Sequence, residues 1–373
     1  MKWLRIRELV RKEFIQLFRD RKNRPLLIIA PLIQIVLFGY VVSTDVRDIR
    51  LGLLDQSRTP ESRLFIDTLT GNPTFRITHR VESPGELDSL LLRRKVDLTV
   101  LIPPDFASRI RQGNTATVQI LADGIASNMA AVRIGHTITV LEAFNTRMIK
   151  ELYARRIDYG HVDERLRTWY NPNLDSQNYY VPGIVAVLVM ILTLLLTSMA
   201  IIREKESGTM EQLIVTPLSS AEMILGKTIP FILIAQAQMV AVTIFAKLWF
   251  GVPIYGSISL LFTTTCLFLL STLGLGLFIS TISQSQQQAM MTTFFFILPM
   301  FMLSGFVFPI RNMPAVVQWF TYLNPLRYML VIIRGIFLKG IGLEALWHQI
   351  AGLAAIGLLV FGGAVSRFKK RLD

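Results

Sequence analysis

The sequence predicts a polytopic α-helical membrane protein with six transmembrane helices and an α/β domain inserted after the first. Three observations carry this. Hydrophobic residues make up 52% of the 373-residue chain and charged residues only 17%, with a mean hydropathy of +0.47, a balance typical of membrane proteins. Apolar runs of about 20 residues recur, the length that crosses a hydrocarbon core at about 1.5 Å rise per residue. Finally, basic residues hug the ends. Residues 1–24 hold nine Lys/Arg against three Asp/Glu and 367–373 hold four against one, whereas 45–178 hold 18 against 17. Much of the formal charge of +13 thus flanks apolar spans, the positive-inside pattern, and both termini are expected in the cytoplasm. No groove reader or base-stacking platform accompanies that charge, so nucleic acid is not an expected partner.

The first 24 residues place Trp3, Ile6, Val10, Phe14, Leu17 and Phe18 at helical spacing, with Lys2, Arg5, Arg11, Lys12 and Arg19 on the other side. This is the pattern of an amphipathic helix lying in the membrane interface. Glu8, Glu13 and Asp20 argue against a transit peptide, which avoids acids. Span one follows at 25–44, an uncleaved anchor because no small-x-small cleavage site comes after it. Residues 45–178 alternate strand-like stretches (50–55, 75–81, 96–103, 116–123) with short helical ones near 60–70, 84–94 and 104–112, and end in a long helix over 125–157. Such alternation argues a compact α/β domain outside the membrane.

Span two covers 179–202, span three 228–250, span four 258–282, span five 289–308 and span six 347–366, with a basic tail at 367–373. The stretch 309–346 contains "LRYMLVIIRGIFL", too short and too charged to cross, and is expected as an external re-entrant or interfacial segment. Trp3 falls at the expected inner boundary, and Trp169, Trp249, Trp319 and Trp347 near outer ones; indoles prefer those interfaces.

Between spans two and three lies "REKESGTMEQLIVTPLSS". Ser207 or Thr209 can cap a short helix with Glu211 in its first turn, and Leu213, Ile214 and Val215 give that helix an apolar edge. Pro217 then stops it, and Ser219 or Ser220 caps the next. Residues 203–227 therefore form a helix–turn–helix elbow suited to docking a cytoplasmic partner.

Catalytic constellations are lacking. "AEMILGKT" carries Ala221 where a phosphate-binding loop needs its first glycine, and His79, His136, His161 and His348 lack metal spacing. The chain is not expected to hydrolyse ATP, to act as an enzyme, or to hold a cofactor or metal. Its one cysteine, Cys266, allows no internal disulfide.

At "REKESGTMEQLIVTP" (203–217), "WYNPNLD" (169–175), "STLGLGLFISTISQSQQQA" (271–289), "LSGFVFPIRNMP" (303–314) and "YLNPLRY" (322–328), the chain resembles the ABC-2-type exporter permeases. These are the membrane subunits of ATP-driven efflux systems, and the likeness is greatest to bacterial drug-efflux permeases with a large periplasmic insertion. The resemblance runs over essentially the whole chain and implies the type V-like exporter fold in a bacterial inner membrane. It implies a separate ABC ATPase subunit carrying the ATP and Mg, a second permease copy or a paralogue, and membrane lipid around them. A periplasmic adaptor and an outer-membrane channel are further partners it suggests.

The same resemblance makes the elbow a coupling helix, in which Glu204, Glu206, Gly208, Thr209, Glu211, Thr216 and Pro217 transmit nucleotide-driven movement. It puts a substrate path between permeases, lined from spans two and five by Met190, Thr193, Thr197, Phe294, Met300, Phe301 and Met302, a flexible lining suited to apolar cargo. Gly305 and Pro309 break the outer end of span five and Arg311 begins the external segment, which suggests an outer gate. The resulting expectation is alternating-access export of an apolar or amphipathic small molecule. The alternative is a membrane-anchored receptor or scaffold whose outer domain binds a ligand or adaptor. Ion coupling would want a carboxylate in mid-span, and none of the six expected spans has one.

Overall fold

The computed structural model describes residues 2–19, 23–41, 48–124, 127–153, 169–171, 175–208 and 219–367. Two compact units emerge, one from residues 1–43 with 167–373 and the other from 44–166.

The first unit is helical. It contains α1 (Lys2–Arg19), α2 (Asn23–Val41), and, after the second unit, the 31-residue α7 (Ser176–Glu206) and α8 (Ser220–Phe250). Then come α9 (Ile258–Ile282), α10 (Gln286–Met302), α11 (Ala315–Thr321), α12 (Pro325–Arg334) and α13 (Leu343–Arg367). Starts follow the side-chain chemistry. Ser219 closes a capping box with Glu222 at the head of α8, and Ser257, Ser285 and Asn324 each accept from a backbone N–H in the first turn of α9, α10 and α12. Of the two serines the sequence offers at α8, Ser219 is the cap.

Among the described residues, four helices are long and apolar enough to cross a membrane: Ser176–Glu206, Glu222–Phe250, Ile258–Ile282 and Leu343–Ser366. The expected span one corresponds to the 19-residue α2 and span five to the 17-residue α10.

Helix α7 is the hub, its residues from Val181 to Ile202 largely buried against α2, α8, α9, α10 and α12. Small residues let neighbours come close. A Cβ on Gly274 of α9 would sit 2.7 Å from the Phe361 backbone of α13, and one on Gly276 would sit 2.8 Å from Thr197 of α7. Between α8 and α9, Gly256 donates its N–H to Ile336 O at 2.9 Å, and a Cβ there would collide with that same oxygen.

The second unit holds a four-stranded sheet ordered β2–β1–β3–β4, from Ile49–Asp55 (β1), Phe75–Arg80 (β2), Leu98–Ile102 (β3) and Gln119–Ala122 (β4). Strand β1 runs parallel to both neighbours, with Ile49 opposite Phe75 and Leu51 opposite Leu98, while β4 closes antiparallel. Helices α3 (Pro60–Thr70) and α4 (Pro84–Leu92) make the two crossovers, and α5 (Phe106–Arg111) and α6 (Ser127–Tyr153) follow. Its core is aliphatic with an aromatic trio, Phe65 standing edge-on to Phe144 at 5.1 Å and Phe106 beside both. At its rim Asp97 takes a two-pronged bond from Arg50 (3.0 and 3.1 Å) and an ion pair from Arg133 (3.0 Å). Burial works to raise the Asp97 pKa, but Arg50's hydrogen bonds and the two guanidinium charges outweigh it and hold it below the usual carboxylate value.

Candidate functional site

Where α1 crosses the end of α7 and the start of α8, charged side chains meet inside the bundle. Glu204, on the last turn of α7, is 2% exposed, and Lys227, two turns into α8, is also 2% exposed. Lys227 Nζ donates to Glu204 Oε2, and Lys12 of α1 donates to Glu204 Oε1 at 2.9 Å. Glu13, also buried, lies 3.9 Å from the Lys227 ammonium. Its burial raises its pKa above the usual glutamate value, with the Lys227 charge opposing and the Glu204 charge reinforcing that rise. One carboxylate therefore bridges two lysines from two other helices, so α1, α7 and α8 are tied at one point. Apolar packing seats α1 beside it, since Gly226 leaves room for Leu9, whose side chain would lie 2.3 Å from any Cβ there.

Two residues on, Glu206 does a different job. Its carboxylate accepts from the Gln286 backbone N–H at 2.9 Å and from the Gln286 side-chain amide. A carboxylate at a helix N-terminus is favoured by the helix dipole, so Glu206 fastens the end of α7 to the start of α10. Gly208 then ends α7 with φ of +70°, which a side chain rarely adopts. Thr209, Glu211, Thr216 and Pro217 lie outside the described residues. Among the described residues, no group of three His, Cys, Asp or Glu is placed to hold a metal ion.

The opposite end of α7 meets the loop after α10. Gly305, at φ +83°, turns the chain so that Phe306 points inward. Phe306 is 5% exposed and lies against Gly183 of α7, where a Cβ would be 2.7 Å from its ring. Phe301 at 5.2 Å and Tyr180 at 5.8 Å complete the packing. Asn324 locks the arrangement by donating to Met300 O at 2.6 Å. Pro309 caps the short 3-10 turn Ile310–Asn312, and Arg311 on that turn is exposed.

The expected path residues fall into two groups. Met190, Thr193 and Thr197 are at most 1% exposed, and Thr193 donates to Thr272 of α9 at 3.0 Å. They pack α7 inside one chain and do not face its surface. Phe294 and Met302 are instead on an exposed stripe of α10 with Met291, Phe295 and Leu298, while Met300 and Phe301 are half-buried behind it. The spacing 291, 295, 298, 302 is one helix face.

Sequence reasoning missed Lys12, Glu13, Lys227, Gln286 and Phe306 as members of these sites. For Lys227 a signal existed: a lysine inside the apolar start of a span, opposite Glu204 at the end of the span before it.

A family model described as ABC-2 family transporter protein matches residues 25–365. The chain is 33% identical over 383 residues to a probable multidrug ABC transporter permease, YbhS, of Escherichia coli, covering 100% of this chain and 99% of that one. It is 30% identical over 368 residues to YbhR of the same organism, with the same description and 99% of both chains covered. The inner membrane transport permease YhhJ of E. coli is 26% identical over 364 residues, 97% of this chain and 96% of its own. With the helical hub, the knot at one end of α7 and these matches, the chain belongs to the ABC-2 family of transporter proteins.

Proposed function

We propose that this permease exports an apolar or amphipathic small molecule by alternating access, driven by a separate ABC ATPase. Similarity to probable multidrug permeases supports the cargo class. In this reading six helices span a bacterial inner membrane with both termini inside, α2 and α10 completing the four longer spans, and 44–166 is the outer domain. ATP and Mg reside on the ATPase. A second permease, identical or paralogous, meets the exposed stripe of α10, and cargo moves along Phe294 and Met302 between the two. An adaptor and an outer-membrane channel would receive it beyond the outer domain.

The observation that carries this reading is Glu204 held by both Lys12 and Lys227. Helix α1 and the two helices flanking the elbow are pinned together, so a partner that pushes the elbow must also move α7. The residues Glu204, Glu206 and Gly208 form the transmission side of the coupling elbow; Thr209, Glu211, Thr216 and Pro217 form its docking side. Gly305, Phe306 and Pro309 with Arg311 form the outer gate.

The test is co-expression with candidate ABC ATPases followed by purification in mild detergent. An ATPase should co-purify, and Glu206→Ala/Glu211→Ala should release it or uncouple its hydrolysis from transport. If none associates with the wild-type chain, the membrane-anchored receptor replaces the exporter.

A further inference from the structure

The last residue of α12, Arg334, has a setting that the export cycle described above does not use. Its guanidinium lies 3.8 Å from the Tyr179 ring centroid and 5.9 Å from that of Phe306. Its Nε donates to Tyr179 O at 3.2 Å. One terminal nitrogen, Nη2, is buried and has no hydrogen-bond partner among the described residues. A desolvated donor on a cation costs stability unless something accepts from it, and aromatic faces compensate only in part. No ion pair among the described residues supplies the missing acceptor. The surrounding segment is short of one as well, since Arg311, Arg327, Arg334 and Lys339 face a single acid, Glu344, between residues 309 and 346.

The geometry points to Arg334 as a latent receptor for an anionic headgroup, covered by Phe306 in the closed gate and uncovered when that ring withdraws. The ligand class is an amphiphile with a phosphate or carboxylate head. A guanidinium fork matches either oxyanion with two parallel bonds. The tail has a place too. The Phe306 ring lies tilted against Phe301 at 5.2 Å, which adjoins Met302 at the end of the exposed apolar stripe of α10. Head and tail sites are thus continuous through the gate residue. This deepens the proposed export reading and rests on it for the direction of the gate. The binding itself can be measured on the permease without any ATPase, so failure of one claim is distinguishable from failure of the other.

The experiment is equilibrium binding of radiolabelled dodecyl phosphate to the full chain in phosphatidylcholine nanodiscs, less binding to empty nanodiscs, with dodecyltrimethylammonium as comparator. Saturable binding selective for the phosphate head is expected. Arg334→Gln should weaken it roughly tenfold or more, the scale of one lost charge-assisted hydrogen bond, while Arg327→Gln leaves it unchanged. Phe306→Ala should tighten it by uncovering the guanidinium. Equal binding of both heads, or an unchanged constant in Arg334→Gln, would overturn the inference. If Arg334→Gln fails to fold, Arg334→Lys carries the test. It keeps the charge but loses the two-pronged geometry, so binding falls several-fold, and an unchanged constant refutes the site. Adding phosphatidylglycerol to the nanodiscs separates the sources of the anion. Displacement of dodecyl phosphate assigns the site to a lipid headgroup, and its absence assigns it to a diffusible amphiphile.

Discussion

Removing the bridging carboxylate by Glu204→Gln is the sharpest perturbation of the knot. Glu204 is 2% exposed and accepts from both Lys12 and Lys227. Lys12, whose side chain is 42% exposed, can turn to water; Lys227, with its side chain 2% exposed, cannot. The variant thus leaves one buried ammonium whose remaining carboxylate partner among the described residues is Glu13, 3.9 Å away. Breaking a buried pair by removing one partner costs about 3–5 kcal/mol. Glu13 offsets part of that, so the low end, about 3 kcal/mol, is expected. At about 2–4 °C per kcal/mol for a body of this size, the midpoint of thermal unfolding should fall by roughly 6–12 °C. The assay is the fraction of monodisperse protein surviving a heating series in detergent, read by size-exclusion chromatography. Replacing both partners, Glu204→Leu/Lys227→Leu, should recover most of the loss, since well-packed apolar pairs often match buried ion pairs. A midpoint within 2 °C of wild type for Glu204→Gln, on the same scale, would refute the claim that this cluster fastens the three helices.

Four further outcomes follow from the structure. Gly305→Ala forces a side chain into φ +83°, at a cost of about 1–2 kcal/mol, and should loosen the Phe306 plug, seen as faster hydrogen exchange in residues 303–314. In a Cys266→Ser background, Phe295→Cys, whose parent side chain is 72% exposed, should cross-link two permeases under mild oxidation, whereas Met190→Cys should not; the reverse would move the interface off α10. In the second unit, the Asp97 pKa is held below its unfolded value, so its contribution is present above an unfolded pKa of about 3.9 and lost as pH falls through the folded value. Asp97→Asn should therefore lower protection of β1 and β3 amides at neutral pH, after correction for intrinsic exchange, and converge with wild type in acid. Glu13 has the opposite sign. Its raised pKa makes the ionised form costly, so Glu13→Gln should stabilise at neutral pH and change little below about pH 4.

What was legible in the sequence was what periodicity and capping encode. The amphipathic face with Phe14 and Leu17 sits on α1, and the Ser219–Glu222 box opens α8. The strand-like stretches of 45–178 fall within a few residues of β1–β4. These depend on neighbours a few positions apart. Glu204 and Lys227 are 23 positions apart and Lys12 is 192 away, so their meeting depends on how helices cross, which no local pattern specifies. Thr193 and Thr197 show the same limit. A polar residue in a span reads equally as path lining or as packing, and only the neighbouring Thr272 and Gly276 show that both pack inside the chain. Phe306 was hidden because one phenylalanine among the three between 301 and 308 has no distinguishing spacing. The Gly305 turn that aims it was visible only as a break.

The central claim is that the knot carries movement from the elbow to the spans, beyond holding the fold together. The double variant Glu204→Leu/Lys227→Leu separates these roles, because it keeps the packing and removes the charged linkage. Cargo transported per ATP hydrolysed, measured in proteoliposomes containing the permease and its co-purified ATPase, tests this most directly. The account predicts a stable complex that still hydrolyses ATP while that ratio falls by roughly tenfold or more. An unchanged ratio in a stable double variant would contradict it.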